Sequence, residues 1–196
     1  MDRSTSVFWA LIAALLGASL FYGSQVWQMR APQQQRDLAL ASGDLVQLVQ
    51  VLDGDTLVVS RAGPGADPAH ATVRLLGVKT FESKHAKDIG APQGRAAEEA
   101  VRRLAGDAAL RVLLNNPPRD RAGRTLATLY AGGDDIGAHL VAQGHALVYT
   151  VYPFPQMASY LQSQAAARAQ RLGLWADPAV AERADALLRE WARAQP

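Results

Sequence analysis

The sequence predicts a mainly β, α+β fold: a five-stranded Greek-key barrel with flanking helices, behind one N-terminal transmembrane helix. Three observations carry that reading. Five short β-rich runs lie between residues 45 and 130, with one helical stripe between the third and fourth. Turn residues punctuate the runs. Residues 7–26 are uncharged and mostly apolar, and about 20 such residues let a helix cross a bilayer.

Residues 1–6 read as a tail and 7–27 as the anchor. Phe8 and Trp9 lie near one end of it, Tyr22 and Trp27 near the other, as interfacial aromatics do. No clean Ala-x-Ala site follows a short apolar core, so a retained anchor is expected rather than a cleaved signal peptide. Arg3 on one side and Arg30 and Arg36 on the other orient it weakly. A short tail before a single anchor places the folded domain on the non-cytoplasmic side, in a bacterial periplasm, at a cell surface or at a mitochondrial inner membrane. Ala13 with Gly17, and Ala14 with Ala18, have the spacing of closely packed membrane helices, although an alanine-rich chain also yields it by chance.

Residues 28–43 form a polar linker, and the domain runs over 44–176. Residues 45–59 read as two strands around Asp53-Gly54-Asp55-Thr56, because Asp-Gly between β-rich runs is a hairpin signal. A Pro/Gly loop covers 63–69, a third strand 72–78 and a polar loop 79–91. Pro92 opens a helix to Gly106, with Ala97, Ala100, Val101 and Leu104 on one face. Strands follow at 109–114 and 125–130, then helices at 136–143 and 156–171. Asp177-Pro178 is a cap-then-proline start for a last helix, 177–196, carrying Val180, Ala184, Leu187, Leu188 and Trp191. That stripe docks on its own domain or meets a partner. The oligonucleotide/oligosaccharide-binding type is one barrel of this kind.

Composition excludes little else. Of 196 residues 49% are hydrophobic, which speaks against a disordered chain. No cysteine is present, so disulfides and thiolate metal sites are excluded. The net charge of +2 alone points to neither nucleic acid nor a membrane surface. His70, His85, His139 and His145 have no ligand spacing and read as structural, His85 as loop surface.

The chemistry lies at the strand ends. Arg74 interrupts an apolar strand and must find a partner or a cleft, because an unpaired buried charge is costly. Glu82 follows the strand end, and Arg124 begins the fifth strand after a glycine turn. Phosphodiester hydrolysis would use all three. Guanidinium groups meet two equatorial oxygens of the transition state at once, and a carboxylate can activate water. Asp53, Asp55 and a carbonyl near Thr80 are oxygen donors suited to a hard divalent cation. For any one of these residues, a turn or a structural ion pair is the plainer explanation.

Asp53-Gly54-Asp55-Thr56, residues 73–82 and residues 120–127 together resemble the staphylococcal-nuclease-like (thermonuclease) family, in family order. So do Ser83-Lys84-His85-Ala86-Lys87, residues 140–146 and Arg171-Leu172-Gly173-Leu174-Trp175. The resemblance implies the nuclease's five-stranded barrel and calcium-dependent cleavage of DNA and RNA. It implies phosphate-binding roles for Arg74 and Arg124 and a water-activating role for Glu82. It implies calcium ligation by Asp55 and the Thr80 carbonyl, with Asp53 behind them, and substrate contacts by Lys84, Lys87 and Tyr152; Thr150 stands where another pocket tyrosine would be.

Two residues depart from the family pattern. Lys79 replaces the second calcium-binding aspartate, and Phe81 replaces a proline. An ammonium in place of a carboxylate ligand makes calcium doubtful. Lys79 either takes the cation's place and donates to a phosphate, giving slow metal-independent cleavage, or turns to solvent and leaves a weak site, or marks a domain that has lost catalysis. The expected function is a membrane-anchored nuclease acting on nucleic acid. The alternative is an inactive accessory subunit of a membrane complex, held through its anchor and C-terminal helix.

Overall fold

The computed structural model describes residues 38–63, 69–84 and 88–194. The tail, the expected anchor at 7–27, most of the linker, His85 and Lys87 lie outside the described residues. Among the described residues no helix is long and apolar enough to cross a membrane.

The fold is mixed α+β with a largely antiparallel sheet. Strand β1 (Leu45–Asp53) turns into β2 (Thr56–Arg61), and β3 (His70–Leu75) follows. After β4 (Val78–Lys79) comes helix α1 (Ala91–Ala105), then β5 (Leu110–Arg119), β6 (Thr125–Ala131) and β7 (Asp134–Asp135). The chain closes with α2 (Ile136–Ala142), β8 (Leu147–Val148), α3 (Met157–Ala169), a 3-10 turn (Gly173–Ala176) and α4 (Pro178–Arg193). The sheet order is β3-β2-β1-β5-β6-β7, and β3 also pairs with β6. That last pairing closes five strands into a barrel, which is consistent with the oligonucleotide-binding type.

The closure matters for the site. β3 and β6 run parallel, with Val73 opposite Thr125 and Arg74 opposite Leu126. Arg74 and the residue just before β6, Arg124, are therefore brought to neighbouring strands. Register is fixed from inside, because Val46, Leu57, Val59, Val73, Leu110, Val112 and Leu129 are fully buried in one core; a slip by one residue would turn each set outward.

The third strand is shorter than the expected 72–78. It ends at Leu75, and the chain bends at Gly77 with φ +72° before resuming as β4. The Phe154 ring lies against Gly77, so any side chain there would collide with it. β4 leaves the barrel and pairs with β8, Lys79 opposite Leu147. Lys79 is thus held in a strand rather than in a polar loop. The fourth barrel strand also runs on to Arg119, past a register shift after Leu114.

A second core gathers Phe81, Leu147, Leu174, Trp175, Val180, Ala184 and Trp191. It receives the apolar face of α4, with Leu187 and Leu188 half-buried against it. Asp177 caps that helix by accepting from the amides of Ala179 (2.9 Å) and Val180 (3.3 Å), and Pro178 occupies the first turn. Replacing Trp191 by alanine should cost about 3–5 kcal/mol. Urea unfolding of the full chain, followed by the other tryptophans, measures it.

Candidate active site

Asp55 sits at the tip of the β1–β2 hairpin, where Asp53 pairs with Thr56. Gly54 beside it has no room for a Cβ, which would meet the Ala97 methyl at 2.6 Å. The hairpin tip is therefore pressed onto α1, and Asp55 is carried into the interior, 2% exposed. A buried carboxylate needs donors, and four face it. The Thr56 hydroxyl donates to Oδ1 (2.9 Å), and the Thr80 amide donates to Oδ2 (2.9 Å). Arg74 NH1 lies 3.3 Å from Oδ1, and Lys79 Nζ lies 3.7 Å from Oδ2.

Arg74 is fixed further by donating from NH1 to the carbonyls of Asp55 and Leu75, each at 3.2 Å. Burial pulls its pKa below the usual guanidinium value, with Asp55 opposing and Arg124 adding to the drop. The Thr80 hydroxyl is buried, lies against Gly54 and has no hydrogen-bond partner among protein atoms.

Arg124 has a carboxylate of its own. Its Nε donates to Asp120 Oδ2 at 2.7 Å, and its NH2 reaches the same oxygen at 2.7 Å. Asp120 Oδ1 accepts from the amides of Ala122 (2.9 Å) and Arg124 (3.0 Å). Partial burial works to raise the Asp120 pKa, but the bonds from Arg124 outweigh it and hold the carboxyl below its ordinary value.

Glu82 is exposed on a short segment that helix α1 grips. Phe81 is buried with its ring over Gly90. Gly94 lies against the backbone of residues 81–83, where a Cβ would come within 2.6 Å of the Phe81 carbonyl. Ser83 Oγ donates to Glu98 of the same helix. Phe81 at this position thus supplies an apolar anchor immediately before Glu82.

A cleft of about 1010 Å³ opens over these residues. Arg74, Lys79, Thr80, Glu82, Arg124 and Tyr152 all line it. Asp55 lies beneath that wall, not on it. Asp53 and Lys84 are not among its lining residues; they pair with each other at 3.7 Å, with Lys84 65% exposed. Among the described residues no cluster of three or more His, Asp or Glu is placed to hold a metal ion.

Sequence reading missed part of the lining. Arg119, Arg121, Arg183, Tyr149 and Trp191 also face the cleft. Tyr149 meets Trp191 edge-on at 5.0 Å and lies 6.3 Å from Tyr152. Arg183, Leu187 and Trp191 come from α4 at four-residue steps, a spacing that does mark one helix face. Among the described lining residues, basic Arg74, Lys79, Arg119, Arg121, Arg124 and Arg183 outweigh acidic Glu82, Asp88 and Asp120. The cleft is thus strongly positive in a chain whose net charge is only +2. Tyr152 is exposed, and an exposed aromatic face beside cations suits a stacked base and its phosphate.

Comparison with known proteins agrees with this chemistry. The model of the family described as "Staphylococcal nuclease homologue" matches residues 72–177. A "Micrococcal nuclease" of Shigella flexneri is 34% identical over 144 residues, covering 67% of this chain and 74% of that protein. A "Thermonuclease" of Staphylococcus hyicus is 23% identical over 178 residues, 90% of this chain and all of that protein. An "Uncharacterized endonuclease" of Haemophilus influenzae is 31% identical over 131 residues, 67% and 66% respectively.

The Asp120 pair makes stability depend on acid. A lowered folded pKa adds stability above the ordinary value of 3.8 and loses it as pH falls through the lower folded value. The melting temperature of Asp120→Asn should therefore lie below that of the parent at pH 6, with the gap closing below about pH 3.8. Gly94→Ala should push the 81–83 segment away and destabilise the fold by about 1–3 kcal/mol, as measured by thermal and urea unfolding.

Proposed function

The chain belongs to the staphylococcal nuclease homologue family, and we propose that it hydrolyses phosphodiester bonds of DNA or RNA in the cleft of Arg74, Glu82 and Arg124. The observation that carries the reading is that those three side chains line one cleft, each cation held by a carboxylate beside it.

Their chemistry follows from that arrangement. The phosphate enters between Arg74 and Arg124, whose guanidinium groups donate to its non-bridging oxygens. Glu82 takes a proton from a water, and the water oxygen forms the new bond to phosphorus. The ester P–O bond breaks with its electron pair on the leaving oxygen, which gains a proton from solvent. Charge grows on the non-bridging oxygens as the new bond forms, and the fixed guanidinium groups stabilise it without reorganising. The exposed Tyr152 offers a face for a flanking base, with Tyr149 beside it.

Calcium dependence is general in the thermonuclease-like family, but the donors here do not fit a calcium ion. Calcium takes six to eight oxygen ligands. Among the described residues Asp55 is the one buried carboxylate; it already accepts from Thr56 and Thr80 and stands between the cations of Arg74 and Lys79. The calcium site implied by the family is therefore read as compromised, and no step above runs through it.

Residues 7–27 are read as a membrane anchor, on the uncharged run and its flanking aromatics. The domain would then work tethered, on the non-cytoplasmic side. A second reading, an inactive accessory subunit of a membrane assembly, is favoured by one feature only, the ammonium of Lys79 at Asp55.

Glu82→Gln should lower kcat about 10²- to 10⁴-fold with little change in KM. Arg74→Lys and Arg124→Lys should each cost about 10²-fold or more. Cleavage of labelled single- and double-stranded DNA and of RNA by the purified chain checks all three. A parent protein that cuts none of these substrates, with calcium or with chelator, would contradict the nuclease reading.

A further inference from the structure

Asp55 holds two cations on one carboxylate. A carboxylate offers about four lone-pair positions. Here the Thr56 hydroxyl and the Thr80 amide each donate to one oxygen, and the Arg74 and Lys79 cations stand beside them as ion pairs at 3.3 and 3.7 Å. Two positive charges against one negative leave a positive charge directed at the cleft. Arg124 and Asp120, by contrast, balance each other.

We propose that the Lys79 ammonium takes the place of a divalent metal ion in this site and binds a phosphate oxygen of the substrate directly. The proposal rests on the phosphodiesterase reading and adds the identity of the third cation. The Lys79 backbone is fixed by pairing with Leu147. Its side chain is 38% exposed and lines the cleft, so its head lies between buried carboxylate and open water. An ammonium carries three donors in all directions. With Asp55 Oδ2 at 3.7 Å as an ion-pair partner, the ammonium keeps donors for substrate. The ammonium stays protonated throughout; the proton of the attacking water goes to Glu82, as above. A metal ion seated at Asp55 would have to stand against the charges of both Arg74 and Lys79.

The test uses the full chain in detergent and a short single-stranded DNA with phosphorothioate linkages, titrated by fluorescence anisotropy in chelator over a salt series. Cleavage of the matching phosphodiester strand is followed with chelator and with calcium. The parent should bind in chelator and cleave at rates that agree within about twofold with and without calcium. Lys79→Met keeps the aliphatic stem. It should weaken binding at least tenfold and flatten the plot of log K against log salt by about 0.7, the share of one phosphate contact on a single strand. Lys79→Arg should restore the slope, which a merely structural role would not do. Lys79→Asp should lose binding in chelator and recover it with calcium.

Parent binding or cleavage that requires calcium overturns the inference and leaves the nuclease reading standing. So does a Lys79→Met slope equal to that of the parent. Binding in chelator with the predicted slope change, but no cleavage, supports Lys79 as the phosphate-binding cation and ends the nuclease reading. Absence of both binding and cleavage in the parent overturns both.

Discussion

One buried charge organises the site. Asp55 has almost no access to water, and an ionised carboxylate in that position is stable only when the protein supplies its solvation. The Thr56 hydroxyl comes from the same hairpin, Arg74 from β3, and the Thr80 amide and Lys79 from the segment beyond the Gly77 bend. Satisfying one carboxylate therefore ties the hairpin tip, the barrel wall and the β4 segment together. Removing a donor would leave a charge stranded indoors, so these elements cannot drift independently.

The same constraint gives the cleft its electrostatics. Arg74 and Lys79 are drawn to one side by Asp55, and Arg124 is drawn to the facing turn by Asp120. The acids do not cancel the cations; they aim them. Helix α1 does the corresponding work for Glu82. Its glycines let the 81–83 backbone lie directly on the helix, with Phe81 buried below and Ser83 bonded to Glu98. Aiming cations with buried acids and placing the one exposed acid between fixed neighbours is preorganisation, the feature that makes electrostatic stabilisation effective.

Much of this was legible in the residues. Asp53-Gly54-Asp55-Thr56 announced a hairpin, and the hairpin is there. The helix stripe of Ala97, Ala100, Val101 and Leu104 lies within α1. Arg74, Glu82 and Arg124, read from three separate stretches, line one cleft. Two-residue strands were not legible, because β4 and β8 are too short to carry a period. For Lys79 three readings stayed open, because a lysine in sequence shows its charge but not the buried carboxylate beside it. Lys84 was read as flanking the cleft, with a solvated loop as the plainer alternative; it is exposed and pairs with Asp53. Trp191 and Arg183 were hidden for another reason. An apolar helix stripe reads as packing, and Trp191 serves packing and cleft wall together.

Where the phosphate sits is read from a crystal structure of the protein grown in chelator with a phosphorothioate oligonucleotide. One phosphorothioate group should have its non-bridging atoms within hydrogen-bond distance of Arg74, Lys79 and Arg124, with a water between phosphorus and Glu82. An oligonucleotide bound on another face, with those four side chains still facing empty cleft, would rule this binding mode out.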